Sequence, residues 1–257
     1  MSNKISDIFK NKKCLIAYFT AGDPNIEKTA EYIVAISKSG ADLIEIGIPF
    51  SDPTAEGEVI QNAMARALSK GVNIDDIFGA VVKAKKEIDT PLVFMTYINP
   101  VLNYGYDKFF KKCKDTGVSG IIVPDMPYEE QSEIEEFAAQ NEITVITLIA
   151  PTSKERIKTL AAKSRGFIYL VSSLGVTGVR NEITTDIGAI ISEIKKVSDT
   201  PVAVGFGIST PEQAKEMTKY ADGVIVGSAI VKIIAEHGEN ASKKLSEYIA
   251  SLKKAVS

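Results

Sequence analysis

The sequence predicts an α/β fold, a (β/α)8 barrel of the TIM type, and three observations lead to this prediction. Short runs rich in valine and isoleucine alternate with segments of helical periodicity along the whole chain. Most of these runs are apolar throughout, as parallel strands covered on both faces usually are. The length of 257 residues suits one such barrel, so residues 1–257 are predicted to form a single domain.

The N-terminal segment carries Ile5, Ile8 and Phe9 at helical spacing before the first strand. We expect an extra N-terminal helix here that covers the amino-terminal end of the barrel. A targeting or membrane role is the weaker interpretation, because the segment has no signal-peptide core.

Eight apolar runs mark the predicted strands. They cover residues 15–20, 43–48, 92–97, 120–124, 144–149, 167–171, 202–206 and 223–226. A helix is expected after each strand, and extended loops are expected after the second and sixth strands.

Several helix starts carry capping signals. The helix after the first strand is predicted to have Asp23 as its N-terminal cap and Pro24 at its first position, and to end at Gly40. Two capping-box pairs predict later helix starts: Thr152 with Glu155, and Thr210 with Gln213.

Composition and charge exclude several classes of protein. The formal net charge is −3 with acidic and basic residues interspersed, which argues against nucleic-acid binding. No run approaches the roughly 18 apolar residues that a membrane helix needs. The cysteines, Cys14 and Cys113, form neither a metal motif nor a disulfide framework, and a cytoplasmic protein is expected.

Glu45 is the first candidate for chemistry. Side chains alternate along the run 43–48, so its three isoleucines share one face and Glu45 lies on the other. The isoleucine face belongs against helices, which directs Glu45 into the barrel mouth. Burial there would raise its pKa and suit it to general acid–base catalysis. The alternative is a structural carboxylate bonded to neighbouring polar groups.

The loop over residues 49–58 is the second candidate. It follows the strand of Glu45 and carries Asp52, Glu56 and Glu58 together with two prolines and a glycine. It is longer than a minimal strand-to-helix turn, so we expect it to project over the barrel mouth. A solvated surface loop is the alternative.

Glycine-rich turns form the third candidate. They lie at residues 175–178, 205–209 and 227–229, after the last three predicted strands. Glycine lets backbone N–H groups approach an anion, and a helix starting at Ser228 would direct its positive end toward that anion. A small phosphate ester is the expected ligand.

Other chemistries are disfavoured. His237, the single histidine, belongs to the last helical region, which leaves no serine–histidine or histidine–metal site. No lysine lies clearly within a strand, which weakens a Schiff-base mechanism. Carboxylates must therefore transfer the protons.

At these residues the chain closely resembles the tryptophan synthase α chain family. The resemblance covers nearly the whole sequence. The matching stretches are residues 18–24, 45–53, 97–100, 123–125, 174–178, 205–208 and 227–232. The most specific is Glu-Ile-Gly-Ile-Pro-Phe-Ser-Asp-Pro at residues 45–53.

The resemblance implies cleavage of indole-3-glycerol phosphate to indole and glyceraldehyde 3-phosphate. The family's catalytic glutamate falls on Glu45, which would protonate indole C3. Its second catalytic carboxylate falls on Glu56, which would accept the indole N–H. The resemblance also implies an α2β2 heterotetramer with a β chain that carries pyridoxal phosphate, and no cofactor in this chain.

Other residue roles follow from the same resemblance. Asp52 and Pro53 match the loop that meets the partner chain, and Thr177 matches a residue of the closing lid. The remaining residues line the substrate site: Gly178, Gly207, Gly227 and Ser228 at the phosphate, and Tyr18, Met95, Tyr169 and Phe206 in the pocket.

Three departures from the family pattern bear on activity. Glu56 is one methylene longer than the usual aspartate, and Thr54 and Glu58 replace common leucine and proline. Displacing a catalytic group by about 1 Å can cost on the order of a hundredfold in rate. Ser173 stands where many members have arginine.

Three alternatives remain open at this point. A stand-alone lyase would release indole rapidly without a partner. A regulatory subunit would activate the β chain with little catalysis of its own. Another phosphate-binding barrel enzyme, such as a sugar-phosphate isomerase, is disfavoured by the loop sequence and by the lack of a usable histidine.

Overall fold

The computed structural model describes residues 4–151, 154–171, 187–205 and 207–257. All strands are parallel and form one sheet in the order β5-β4-β3-β2-β1-β9-β8-β7-β6. The strands are β1 Cys14–Thr20, β2 Leu43–Gly47, β3 Leu92–Met95, β4 Val118–Ile122, β5 Thr144–Val145, β6 Thr147–Ile149, β7 Ile168–Val171, β8 Val202–Gly205 and β9 Gly223–Val226. With the surrounding helices, this confirms the predicted TIM barrel.

β5 and β6 lie at the two ends of the strand order but are consecutive in the chain, so this stretch of chain closes the barrel. The sequence predicts one strand over 144–149, and this prediction is wrong in detail, since the run divides at Ile146. The first half pairs with β4 and the second half with β7, so the chain bends where it changes neighbours. The Ile146 N–H continues the ladder by donating to the Ile121 carbonyl at 2.9 Å.

Helices surround the sheet on its outer side. More than one helix follows each of β2, β3 and β9, whereas the sequence predicts a single helix after each strand. The helices in the described residues are α1 Lys4–Asp7, α2 Ile26–Lys38, α3 Glu58–Ser69, α4 Ile74–Ala84, α5 Ile98–Tyr104, α6 Tyr106–Thr116, α7 Ser132–Gln140, α8 Lys154–Lys163, α9 Ile187–Lys195, α10 Pro211–Met217, α11 Ser228–His237 and α12 Ser242–Val256. None is both long and apolar enough to cross a membrane.

The apolar residues form two main layers. Outward-facing strand residues such as Ile44 and Ile46 pack against the helices. Inward-facing residues such as Ile16, Leu43 and Val93 fill the barrel. Every second side chain of a strand points inward, so the inward-facing residues lie at successive heights inside the barrel.

The N-terminal segment closes the bottom of the barrel, as predicted. The side chains of Ile5 and Phe9 are buried in the inner layer, and the Phe9 ring lies 5.9 Å from that of Phe167. The helix itself is shorter than the spacing suggested, because α1 ends at Asp7 and the chain turns before Phe9.

The start of α2 corrects a prediction. Asn25, not Asp23, caps the helix, and its side chain accepts a hydrogen bond from the Lys28 N–H. Asp23 is instead buried and accepts two hydrogen bonds from Arg66, at 2.8 Å and 2.7 Å. The cap shifts because a carboxylate buried beside Arg66 is better satisfied by a bidentate ion pair than by one N–H. The helix end near Gly40 and the Thr210–Gln213 capping box are confirmed.

We expect Arg66→Leu to lower the free energy of unfolding by about 2–3 kcal/mol, because it leaves the Asp23 carboxylate buried without its partner. Urea unfolding monitored by circular dichroism would measure the loss. Arg156→Leu is the matched control, since Arg156 makes the same two-bond pair with Glu129 on an exposed surface. Equal losses in the two variants would contradict the expectation.

Candidate active site

Glu45 lies on β2 and points into the barrel, as the alternation predicted. It stands in register between Tyr18 of β1 and Val93 of β3. Its side chain is fully buried, and neither carboxylate oxygen has a hydrogen-bond partner within the described part of the chain. The structural alternative, a carboxylate bonded to neighbouring polar groups, receives no support from these residues.

Burial, with a smaller contribution from the charge of Glu56, raises the pKa of Glu45 to about 8. The ionised form is disfavoured because no donor in the part of the chain that the structure describes replaces the lost water. At neutral pH Glu45 therefore holds its proton most of the time, which is the state of a general acid.

Glu56 is the second buried carboxylate at the mouth. The loop that connects β2 to α3 exposes Ser51, Asp52 and Thr54 but buries Glu56, which is 3% exposed. The Tyr97 hydroxyl donates a hydrogen bond to Oε2 of Glu56, while Oε1 has no partner among the described residues. The loop thus places the Glu56 carboxylate at the barrel mouth, so it is not the solvated surface loop that was the alternative.

The environment of Glu56 differs from that of Glu45. Burial raises the pKa of Glu56, and the charge of Asp125 adds to this effect. The hydrogen bond from Tyr97 and backbone N–H groups in the loop act in the opposite direction. Glu56 is therefore provided with donors that favour its ionised form, whereas Glu45 is not.

Two tyrosines occupy the mouth beside the carboxylates. Tyr18 lies against Gly47 and Gly227, and its hydroxyl is 3.3 Å from that of Thr20. Tyr169 lies against Gly205, where a Cβ would approach its hydroxyl to 2.6 Å. Both rings are buried, and the neighbouring glycines leave the space that they fill.

Met95 ends β3 on the same side and packs against the clusters of both the barrel interior and α3. The described pocket residues predicted from the sequence, Tyr18, Met95 and Tyr169, are therefore brought together near Glu45. Phe206, the fourth, lies outside the described residues.

The predicted phosphate residues follow two adjacent strands. Gly207 comes after β8 and adopts a φ of +77°, which favours glycine. Gly227 comes directly after β9, and α11 begins at Ser228. Since β8 and β9 are neighbours, both turns lie at one part of the rim, where the first N–H groups of α11 have no acceptor within their own helix. Thr177, Gly178 and Ser173 lie outside the described residues, as does the predicted capping residue Thr152.

Asp52 is exposed and Pro53 is half-buried, on the outer part of the loop that buries Glu56. The same loop therefore has one end at the site and one surface available to a partner. Among the described residues, no group of three or more histidine, cysteine or acidic side chains is arranged to hold a metal ion.

Sequence reasoning missed the contact between Tyr97 and Glu56. The sequence predicts a strand through residue 97, but β3 ends at Met95 and Tyr97 precedes the first residue of α5. The alternation of side chains along the predicted strand would have indicated this contact, because it places Tyr97 on the same inward face as Met95.

A parallel barrel with two buried carboxylates at its mouth is the architecture of a TIM-barrel enzyme. A sequence model of the tryptophan synthase alpha chain matches residues 6–257. The tryptophan synthase alpha chain of Lacticaseibacillus casei is 46% identical over 256 residues, which cover 100% of this chain and 96% of that one. A Thermoanaerobacter relative of the same name is 47% identical, with 96% and 95% of the two chains covered.

Solved structures agree with these relatives. A chain of the tryptophan synthase structure from Mycobacterium tuberculosis superposes with a TM-score of 0.91 at 34% identity, covering 100% of this chain and 99% of that one. The chain belongs to the tryptophan synthase α chain family. It is a lyase of tryptophan biosynthesis that cleaves indole-3-glycerol phosphate to indole and glyceraldehyde 3-phosphate, and membership implies partnership with a β chain.

Proposed function

We propose that Glu45 and Glu56 carry out this cleavage together, Glu45 as the acid at carbon and Glu56 as the acceptor at nitrogen. The observation that carries the proposal is the state of Glu45, a fully buried carboxyl group with no partner among the described residues, facing the barrel mouth. Since no described side chain is bonded to it, a bound ligand is the partner with which we propose that it exchanges its proton.

The first step is a proton transfer from Glu45 to C3 of the indole ring. The ring becomes an indolenine as its N–H is drawn to the Glu56 carboxylate, which stabilises the positive charge that develops on the nitrogen. The ring gives up its aromaticity in this step, so the two carboxylates act on the part of the reaction with the highest energy.

The second step breaks the bond between C3 and the glycerol carbon. Glu45, now ionised, takes the proton of the adjacent glycerol hydroxyl as the carbonyl of glyceraldehyde 3-phosphate forms. The bonding electrons return to the ring and restore indole, and the nitrogen regains its proton. Glu45 ends the cycle protonated, as it began, so no other group need supply or remove a proton.

Phosphate binding would fix the substrate for both steps. We assign it to the backbone at Gly207, Gly227 and Ser228 together with Gly178, on the turns that follow the last strands. The start of α11 offers N–H groups and the positive end of the helix dipole to the phosphate. Tyr18, Met95, Tyr169 and Phe206 would then enclose the indole ring.

The partner would complete the enzyme. We propose an α2β2 heterotetramer in the cytoplasm in which Asp52 and Pro53 contact the β chain, whose pyridoxal phosphate is the only cofactor. Thr177 would act on the lid. Contact at Asp52 would order the loop of Glu56 and so raise the rate of cleavage.

Indole release from indole-3-glycerol phosphate, measured with and without a cognate β chain across pH 5–10, tests the proposal. We expect slow release alone, strong stimulation by the β chain, and a kcat/KM that falls as pH rises through about 8, because Glu45 must be protonated to act as the acid. Stimulation of β-chain turnover without any indole release would leave only a regulatory subunit. Fast release without the partner would indicate a stand-alone lyase.

A further inference from the structure

The Tyr97 hydroxyl has an unusual set of partners for a phenol. It accepts hydrogen bonds from the backbone N–H groups of Thr54 and Ala55, each at 2.8 Å, and donates its own proton to Oε2 of Glu56. Three consecutive residues of the loop, Thr54, Ala55 and Glu56, therefore all share a hydrogen bond with the Tyr97 hydroxyl. Two donors on that oxygen make its own proton a stronger donor, because hydrogen bonds in a chain polarise one another.

The Tyr97 side chain is held by the barrel as well as by the loop. The ring is 1% exposed, and it stacks on Phe50 of the same loop with a centroid distance of 5.1 Å. Its backbone is fixed as well, since the next N–H, that of Ile98, donates to Asp125 at 3.1 Å. The hydroxyl is thus held within the barrel, and the 54–56 segment is attached to it.

We propose that Tyr97 is a positioning residue that holds the 54–56 segment and aims the Glu56 carboxylate at the indole nitrogen. The inference rests on the proposed role of Glu56. It explains how a glutamate, one methylene longer than the aspartate usual in the family, is held in the orientation that this role requires. A glutamate has one more rotatable bond than an aspartate, and the phenol removes that freedom by fixing one of its two oxygens. The other oxygen, Oε1, stays unpartnered among the described residues and available to the ligand.

The charge around Glu56 explains why such a donor is needed. The titratable groups that face Glu56 from the other elements are acidic: Glu45 on β2, Asp125 after β4, and the phenols Tyr18 on β1 and Tyr169 on β7. Of these influences, burial and the charge of Asp125 favour the protonated form of Glu56. Tyr97 and the loop N–H groups are the donors recorded for the ionised form in the described part of the chain.

Tyr97→Phe tests the proposal, because it keeps the ring stacked on Phe50 and removes only the hydroxyl. We expect kcat for indole release to fall about 10- to 100-fold with a much smaller change in KM, since the phosphate is held elsewhere. The acid limb of the kcat/KM profile should move to higher pH, because Glu56 loses the bond that favours ionisation. Tyr106→Phe is the matched control: it removes a hydroxyl bonded to Glu133 on an exposed surface and should leave the profile unchanged.

A double-mutant cycle separates positioning from general damage. Glu56→Gln should lower the rate by itself, and adding Tyr97→Phe should then cost much less than it does in the native chain. Amide exchange provides a readout independent of activity, since the Thr54 and Ala55 amides should exchange faster in Tyr97→Phe and remain as in the native chain in Tyr106→Phe.

The outcomes distinguish this inference from the proposed function. Additive effects of the two substitutions, or unchanged exchange at the two amides, would overturn the role of Tyr97 while leaving Glu45 and Glu56 in place. If Glu56→Gln itself releases indole at the native rate, the role of Glu56 is wrong and that of Tyr97 falls with it.

Discussion

Replacing Glu45 by glutamine is expected to reduce indole release by about a thousandfold, within the range of 10²–10⁴ found for general acid–base groups. Glutamine keeps the shape of the side chain but cannot give a proton to C3. The measurement is kcat for indole release in the presence of saturating β chain. Binding of a substrate analogue should persist, because the phosphate site lies on other loops. Activity within tenfold of native would contradict the mechanism.

The same variant is expected to be more stable than the native chain, in a manner that depends on pH. The folded-state pKa of Glu45 is raised from its ordinary value of 4.5 to about 8, so the folded chain holds a proton that the unfolded chain loses between these values. Native stability therefore declines as pH rises through that window. Glu45→Gln should gain little at pH 4.5 and about 2–4 kcal/mol at pH 9, measured by urea unfolding. A group ionised in the folded chain would show no such trend.

Gly47→Ala is expected to disable the site through Tyr18. A Cβ at Gly47 would overlap the Tyr18 hydroxyl and lie 2.8 Å and 2.9 Å from two ring carbons, so the ring must leave its place in the mouth. A displacement of about 1 Å there can cost on the order of a hundredfold in kcat/KM, and overpacking can cost about 1–3 kcal/mol of stability. Indole release and urea unfolding would measure the two losses.

Gly79→Ala is the matched control for this substitution. Gly79 lies inside α4, and a Cβ there meets nothing within 4 Å, so the change should stabilise the helix by up to about 1 kcal/mol and leave indole release unchanged. Tyr18→Leu, combined with Gly47→Ala, should recover part of the lost stability by removing the clash. A native rate in Gly47→Ala would show that the position of Tyr18 does not matter to the reaction.

Strict local rules made several features predictable from the sequence. Alternation along the run 43–48 settled which way Glu45 points, because a one-residue error would bury every isoleucine on the wrong face. Apolar runs separated by helical segments specified the barrel, and helical spacing before the first strand identified its N-terminal cover. The Thr210 capping box was readable because all its contacts lie within four residues.

Features that depend on distant partners were not predictable in the same way. Asp23 has the sequence context of a helix cap, but it pairs with Arg66, which lies 43 residues further along the chain. The run 144–149 has the pattern of one strand, yet it serves two neighbours that the local pattern does not reveal. In both cases a tertiary contact prevailed over a local preference of similar size.

The sequence by itself determined the barrel, the inward direction of Glu45 and the loop that carries Glu56, since each follows from the period of the side chains or from chain connectivity. Only the tertiary structure decided that the loop folds inward, that Tyr97 bonds to its 54–56 segment, and that Glu56 receives a donor while Glu45 has none among the described residues. The physical reason is that burial and hydrogen bonding depend on which atoms of distant segments come together. Those contacts, rather than residue type, give two glutamates of the same chain different surroundings: burial raises the pKa of both, but only at Glu56 do a phenol and backbone N–H groups of the described residues act in the opposite direction.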